Sequence, residues 1–280
     1  MKKPLVSCIC ITQNRRLFLR KAIEYYMRAE KYSQLECELI IIDGSSEFNN
    51  DVASIDDDIL YIHKPSKPHS LQGSNHNLAC GIAKGEIIIK WDDDDWQAQN
   101  RIWKQVAELN AMMMPGFVFT SQYYGYHLVE RKAFRSRCWN DKASGSLGGT
   151  FAFHKKTWEK VPFRDVDQAE DAGFFEDIQR ANITMIDMQD PNFFIYIRHN
   201  QNGSPHHNDN YDDVATENVV SLLDYNKDTN FYNELSEILP LAQWNHPTTF
   251  GQYGLYNRNI KSPLFFQDNS NQLSKSVDKK

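Results

Sequence analysis

Along the first 122 residues, short apolar runs alternate with segments whose apolar positions recur at helical spacing. Leu5–Thr12 (LVSCICIT) reads as a buried strand, and Arg16–Tyr32 places Leu19, Ala22, Ile23 and Tyr26 on one helical face. Glu38–Asp43 (ELIIID) is a second buried strand that ends in the turn Gly44-Ser45-Ser46, and Ile59–His63 is a shorter third. Ser74–Ala83 is a helix carrying Leu78, Ala79 and Ile82, and Gly85 breaks the chain before the strand Glu86–Trp91 (EIIIKW). Ile102, Val106 and Leu109 mark another helix, and Phe117–Gln122 another strand. Near-continuous apolar strands separated by helices imply a mostly parallel α/β sheet covered on both faces. Ligands of such sheets bind at the carboxyl ends of the strands, which directs attention to Thr12, Asn14, Asp43 and Asp92.

From Tyr123 to about Asn200 the pattern changes. Tyr-rich and Gly-rich stretches (Tyr123–Tyr126, Ser144–Thr150) separate a strand at Thr150–His154, a helix near Ala169–Arg180, and strands near Thr184–Asp187 and Phe193–Arg198. Beyond Asn200 the chain is polar and Asn-rich, with helices expected at Val214–Leu223 and Phe231–Leu239. Residues 269–280 have almost no apolar content and are expected to be a disordered tail. The expected organisation is a main domain over 1–204, divided near residue 122, followed by a helical or irregular C-terminal extension over 205–268.

At 280 residues, 41% hydrophobic and 24% charged, the chain is an ordinary globular protein. Its formal charge of -6 weighs against a nucleic-acid partner, which calls for a basic stripe. A phosphorylated ligand is still compatible, provided a cation or a few local Lys and Arg supply the positive field. The five cysteines (Cys8, Cys10, Cys37, Cys80 and Cys138) show no CxxC spacing and read as buried free thiols of a reducing compartment. No apolar run reaches the ~20 residues that span a bilayer, and Met1–Pro4 leads into a strand without a signal-peptide core. The expected location is cytoplasmic, with peripheral attachment to the inner face of a membrane left open.

Candidate chemistry centres on Asp92-Asp93-Asp94-Asp95, directly after an apolar strand. Adjacent carboxylates repel one another, so neutralising them takes a cation or protonation. As hard oxygen ligands they suit Mg2+ or Mn2+ bridging to substrate phosphates. The bland alternative is a solvated acidic turn in which Asp95 caps the following helix.

With these residues in view, Val6–Arg16 (VSCICITQNRR), Glu38–Ser45 (ELIIIDGS) and Gly73–Trp96 (GSNHNLACGIAKGEIIIKWDDDDW) resemble family 2 glycosyltransferases of the GT-A fold. Gly148-Gly149-Thr150, the Glu170-Asp171 pair, and Arg198-His199 with Asn202 continue the resemblance, which covers residues 4 to about 204. It implies a Rossmann-like sheet with a nucleotide-binding half (1–122) and an acceptor-side half (123–204). Asp43 is then a contact to the base, commonly uracil, with Thr12, Asn14 and Arg15 lining the same pocket. Asp92 and Asp93 lie near the ribose and the metal. Asp94 binds the divalent cation, with the Asp93/Asp95 register an open alternative, and His199 is a second ligand or a diphosphate contact. Asp171 is the catalytic base, and Glu170 orients the loop or the acceptor. Each assignment has a bland counterpart: a turn-forming Asp43 before Gly44, a merely hydrogen-bonded His199, and acids at a helix N-terminus. Three positions depart from the family pattern. Gln13 replaces a common aromatic, Gly44 a frequent second acid, and His76 a usual Arg or Lys at the diphosphate.

Together these imply a metal-dependent, inverting transfer from a nucleotide-diphosphate sugar, UDP-sugar favoured, to a glycan, lipid-linked or protein acceptor. A sugar nucleotidyltransferase is the runner-up, but it wants a Gly-rich loop where this chain has Thr12-Gln13-Asn14-Arg15-Arg16. A carbohydrate-binding protein without catalysis is the third reading, opposed by the acidic run and Glu170-Asp171. His206-His207 reads as a solvated loop, and the sequons at Asn182 and Asn202 as chance. Tyr123–Tyr126 and Trp139 fit acceptor stacking and core packing equally.

Overall fold

The computed structural model describes residues 5–53, 55–66, 72–136, 148–167, 169–199, 211–225 and 228–238. In chain order the elements are β1 (Val6–Thr12), α1 (Arg16–Ser33), β2 (Cys37–Asp43), β3 (Ile59–His63), α2 (Gln72–Ile82), β4 (Ile87–Lys90), β5 (Trp96–Gln97) and α3 (Arg101–Asn110). There follow β6 (Gly116–Phe119), β7 (Tyr124–His127), β8 (Lys132–Ser136), a 3-10 turn at Gly148–Thr150, β9 (Ala152–His154), α4 (Lys155–Lys160) and α5 (Glu170–Arg180). The last are β10 (Thr184–Asp187), β11 (Phe194–Arg198), β12 (Tyr211–Val214), α6 (Thr216–Tyr225) and α7 (Thr229–Ile238).

The main sheet has the order β10-β6-β9-β4-β1-β2-β3. All its pairs are parallel except those of β9, which runs antiparallel between β4 and β6. The strand alternation explains why the runs are apolar throughout. Val6, Cys8, Cys10, Leu39, Ile41, Ile87 and Ile89 point into one core with Leu19, Ala22 and Ile23 of α1 and Ile102, Val106 and Leu109 of α3. Ile9, Ile40, Ile42 and Ile88 point into the other with Ala79 of α2 and Phe174, Phe175 and Ile178 of α5. The expected mostly parallel, doubly covered sheet is therefore present.

A second sheet, ordered β12-β8-β7-β11-β5, is not apparent from the periodicity. Its strands are only two to five residues long. Their order comes from pairing with distant segments, such as β12 with β8, more than from local pattern. The stretch Tyr123–Tyr126, read from sequence as a separator, contributes β7. Asp95 does not cap α3. Asn100 holds that position, and the Asp95 carboxylate accepts the Ile197 N–H at 2.9 Å instead.

Residues 211–238 pack into the same compact unit as the main sheet. Asp228 is fully buried and accepts from Lys21 Nζ at 2.9 Å, Arg28 Nη2 at 3.0 Å and Trp96 Nε1 at 2.9 Å. The hydroxyls of Tyr25 and Tyr232 are 2.8 Å apart beside it. Trp96 directly follows the acidic run, so α7 and that run share an anchor. Cys8, Cys10, Cys37 and Cys80 are buried free thiols, as expected. Cys138, Trp139, His206-His207, Asn202 and the tail 269–280 lie outside the described residues. Among the described residues no helix is long and apolar enough to cross a membrane.

Removing a buried charge's partner strands the remaining charges. We expect Asp228→Ala to lower stability by about 3 kcal/mol in urea denaturation, with Asp228→Asn losing less because the amide oxygen still accepts from Trp96.

Candidate active site

The carboxyl ends of β1 and β2 meet where Thr12 pairs with Asp43. Beside them lies a cavity of about 210 Å3 whose lining includes Thr12, Asn14, Arg15, Asp43 and Phe48. The pocket residues expected from sequence are thus brought together. Asp43 is buried and already engaged: its Oδ1 accepts the Ser45 N–H at 2.8 Å and its Oδ2 the Tyr61 hydroxyl at 2.6 Å. Burial, then the bond to Asp43, pushes the Tyr61 phenol up to about 12, so it stays a donor. Gln13 donates to the carbonyls of Gly44 and Ser66, both at 3.1 Å, so two of the positions unusual for the family are joined by one hydrogen bond. The aromatic surface in this cavity is Phe48, half-exposed and edge-on to Tyr61 and His63 at 5.4 and 5.5 Å. Sequence reasoning passed over Phe48 because it lies in a polar loop.

The four acids after β4 have four different environments. Asp92 is half-buried and its Oδ1 lies 3.1 Å from Lys90 Nζ. Asp93 accepts the Thr12 hydroxyl at 2.6 Å and pairs with Arg15 at 2.9 Å. Asp94 pairs with the other Arg15 amino group and lies 3.2 Å from His199 Nε2. Asp95 is buried on the backbone of β11. Burial pushes Asp92 and Asp95 upward, and Asp93 up to about 7. Burial acts the same way on Asp94, but Arg15 and His199 outweigh it and hold its carboxyl below the usual range. His199 is buried against Phe18, with ring centroids 4.4 Å apart, and burial favours its neutral form against the pull of Asp94. An ionised carboxylate and a neutral imidazole converging in this way fit a divalent cation such as Mn2+ or Mg2+.

Glu170 and Asp171 stand at the start of α5, entered through Ala169 in the left-handed region (φ 60). Lys90 Nζ lies 2.7 Å from Asp171 Oδ2 as well as near Asp92. Its side chain is only 4% exposed, so the ammonium is a buried bridge between the two acids. Burial works against that charge, but Asp171 and Asp92 together hold Lys90 above its ordinary value. Sequence reasoning missed Lys90, although one lysine in the aliphatic run Glu86–Trp91 signals a buried charge with a partner. Arg101, also buried, donates to the carbonyls of Lys90 and Gly149, both at 2.7 Å, and so ties β4 to the Gly148-Gly149 turn. A Cβ at Gly148 would overlap the Asp171 carboxylate, which makes glycine necessary there. His76 is placed beside Glu170 and Asp171, stacked on Phe163 at 4.8 Å, and not among the residues lining the Thr12–Asp43 cavity. Tyr123 is buried against Tyr196, whereas Tyr124 is only half-buried.

The family described as "Glycosyl transferase family 2" matches residues 7–166. No curated protein matches the sequence. Among solved structures, S. aureus TarS 1-349 in complex with UDP-GlcNAc superposes with a TM-score of 0.51 at 13% identity, over 78% of this chain and 64% of that one. The crystal structure of S. aureus TarS 1-349 gives 0.50 at 15% identity, over 69% and 60%. The mannosyltransferase PcManGT from Pyrobaculum calidifontis, in complex with GDP-Man and Mn2+, gives 0.49 at 17% identity, over 71% and 57%. This chain spans less than two thirds of the length of each, and at these identities the likeness to the TarS structures is one of fold.

Burial, with Asp171 next to it, pushes Glu170 up to about 8. Between the ordinary carboxylate range and about 8, the folded chain keeps a proton that the unfolded chain has lost. The contribution of Glu170 to stability therefore falls as pH rises through that window. We expect Glu170→Gln to gain on the wild type steadily across it and to match it at its acid end. Denaturant titrations of the metal-free proteins at several pH values check this, and a pH-independent difference would contradict it.

Proposed function

The chain belongs to glycosyl transferase family 2, and we propose that it transfers a sugar, with inversion, from a nucleotide-diphosphate donor to a glycan, lipid-linked or protein acceptor. A UDP-sugar is the favoured donor. The observation that carries this reading is the set of contacts that starts at the Thr12–Asp43 cavity, where Arg15 pairs with Asp94 beside His199, and continues from Asp92 of the same acidic run through Lys90 to Asp171. A base-and-ribose pocket, a cation-binding pair and a carboxylate across from them are the parts such a transfer requires.

In this reading the cavity takes the nucleoside, with Phe48 offering a ring face and Asn14 and Arg15 at its wall. Asp43 acts partly through the turn and the tyrosine it fixes. Asp92 and Asp93 adjoin the ribose and the cation. Mn2+ or Mg2+ held by Asp94 and His199 would balance charge on the departing diphosphate. Of the two registers, Asp92 and Asp94 suit this better, because Asp95 is committed to the β11 backbone while Asp94, unlike Asp93, has the His199 imidazole beside it.

Asp171 accepts the proton of the acceptor hydroxyl as that oxygen attacks the anomeric carbon. Lys90 fixes the Asp171 carboxylate on one oxygen and balances its charge against Asp92. Glu170 orients the acceptor loop. Residues 1–122 form the donor half and 123–204 the acceptor half, with 205–268 as an extension. The setting is cytoplasmic, at the inner membrane face where the acceptor is lipid-linked.

Calorimetry with UDP and Mn2+ separates the roles. We expect Asp94→Ala, or EDTA on the wild type, to weaken UDP binding at least about 10-fold. Asp171→Asn should bind UDP like the wild type while turnover of a UDP-sugar falls about 100-fold or more. Wild-type UDP affinity in Asp94→Ala, or undiminished turnover in Asp171→Asn, would overturn the corresponding assignment. A parallel GDP series tests the choice of base.

A further inference from the structure

We propose that His76, Glu170 and Asp171 form a second cation site, separate from Asp94 and His199, that takes a borderline transition metal of the Zn2+ class. One ring nitrogen of His76 and one carboxylate oxygen from each of Glu170 and Asp171 lie within 4.8 Å of one another. A tetrahedral zinc site needs ligand atoms about 3.3 Å apart, so the three side chains have on the order of 1 Å to close.

Two features of the site point to a ligand. His76 is 3% exposed, and its Nδ1 lies 2.9 Å from the Gln72 carbonyl oxygen. A carbonyl only accepts, so Nδ1 carries the proton and Nε2 presents a lone pair. Metal-bound histidines are commonly fixed in this way, with the second nitrogen donating to a backbone carbonyl. No hydrogen bond reaches that Nε2 among the described residues. Stacking on Phe163 holds the ring plane in place. The second feature is Asp171 Oδ1, buried and without a hydrogen-bond partner, although Oδ2 of the same carboxylate is taken by Lys90. A buried polar atom lacking a partner is costly, as Asp171 Oδ1 is here, and one cation satisfies it together with the lone pair of His76 Nε2 and Glu170.

The donor set selects the metal. One imidazole and two carboxylates, with a fourth position open, match zinc sites that bind water or a ligand. Mg2+, which prefers oxygen and near-ideal octahedral geometry, is the poorer fit. The Lys90 ammonium, shared between Asp92 and Asp171, opposes a second positive charge nearby, and Zn2+ gains its second carboxylate by displacing the proton that Glu170 carries in the metal-free fold. The consequence for turnover rests on the role given to Asp171 above: zinc on that carboxylate removes the proton acceptor, so it inhibits transfer without displacing the nucleotide.

The test uses the full chain freed of metal with EDTA. Crystals soaked in ZnCl2 should give an anomalous peak at the zinc edge about 2.0–2.2 Å from His76 Nε2 and from carboxylate oxygens of Glu170 and Asp171. In calorimetry, a chain carrying Asp94→Ala and His199→Ala should still bind one equivalent of Zn2+. Adding His76→Ala, or the near-isosteric Glu170→Gln, should weaken that binding at least about 10-fold. Absence of the peak, or Zn2+ affinity unchanged by both substitutions, would overturn the site. These readouts involve no nucleotide, so they stand even if no sugar donor is turned over. Zinc that binds here yet leaves UDP-sugar turnover unchanged would refute only the inhibitory consequence.

Discussion

A buried ammonium between two carboxylates organises this molecule's site. Lys90 is the last residue of β4 and is closed off from solvent, and it touches both Asp92 of the acidic run and Asp171 at the start of α5. Four consecutive acids below the surface repel one another and lose hydration. Lys90 at one end and Arg15 in the middle compensate them, each bridging two acids. Because the Lys90 bridge joins the acidic run after β4 to the start of α5, it also fixes the distance between those two parts of the site.

Around that bridge the remaining groups act as a frame. Arg101 holds the strand that carries Lys90 and the glycine turn that faces Asp171. Asp228 holds Trp96, so the start of α7 is tied to the residue that follows the acidic run. Charged side chains with backbone or aromatic partners do this work, and all of them are inside the protein. This is consistent with the geometric demands of a transfer reaction, in which base and leaving group must face opposite sides of one carbon.

The parts legible in the sequence were those with local causes. Buried parallel strands announce themselves as aliphatic runs, and Ile59–His63 and Thr184–Asp187 were bounded to the residue. The clustering of Thr12, Asn14 and Asp43 followed from strand ends and a parallel sheet, and Arg15 was expected there from the family resemblance. The second sheet was hidden because strands such as Trp96–Gln97 are defined by a partner a hundred residues away. Lys90 and Arg101 were hidden for a related reason: a lone basic residue shows its partner only after the chain has closed. His76 was expected from the family resemblance to be a diphosphate contact, while its surroundings in the fold are the two acids of α5.

The antiparallel strand β9 has a consequence for the chain as an object. It is the only neighbour joining β6 to β4 in the main sheet, although it arises after residue 150 and both of the others before residue 120. A fragment stopping near residue 122 would therefore leave β4 with a bare edge and β6 with no strand beside it. Such edges invite pairing with other chains. The segments before and after residue 122 are interleaved in one sheet, so exchanging either between relatives would have to respect this interleaving.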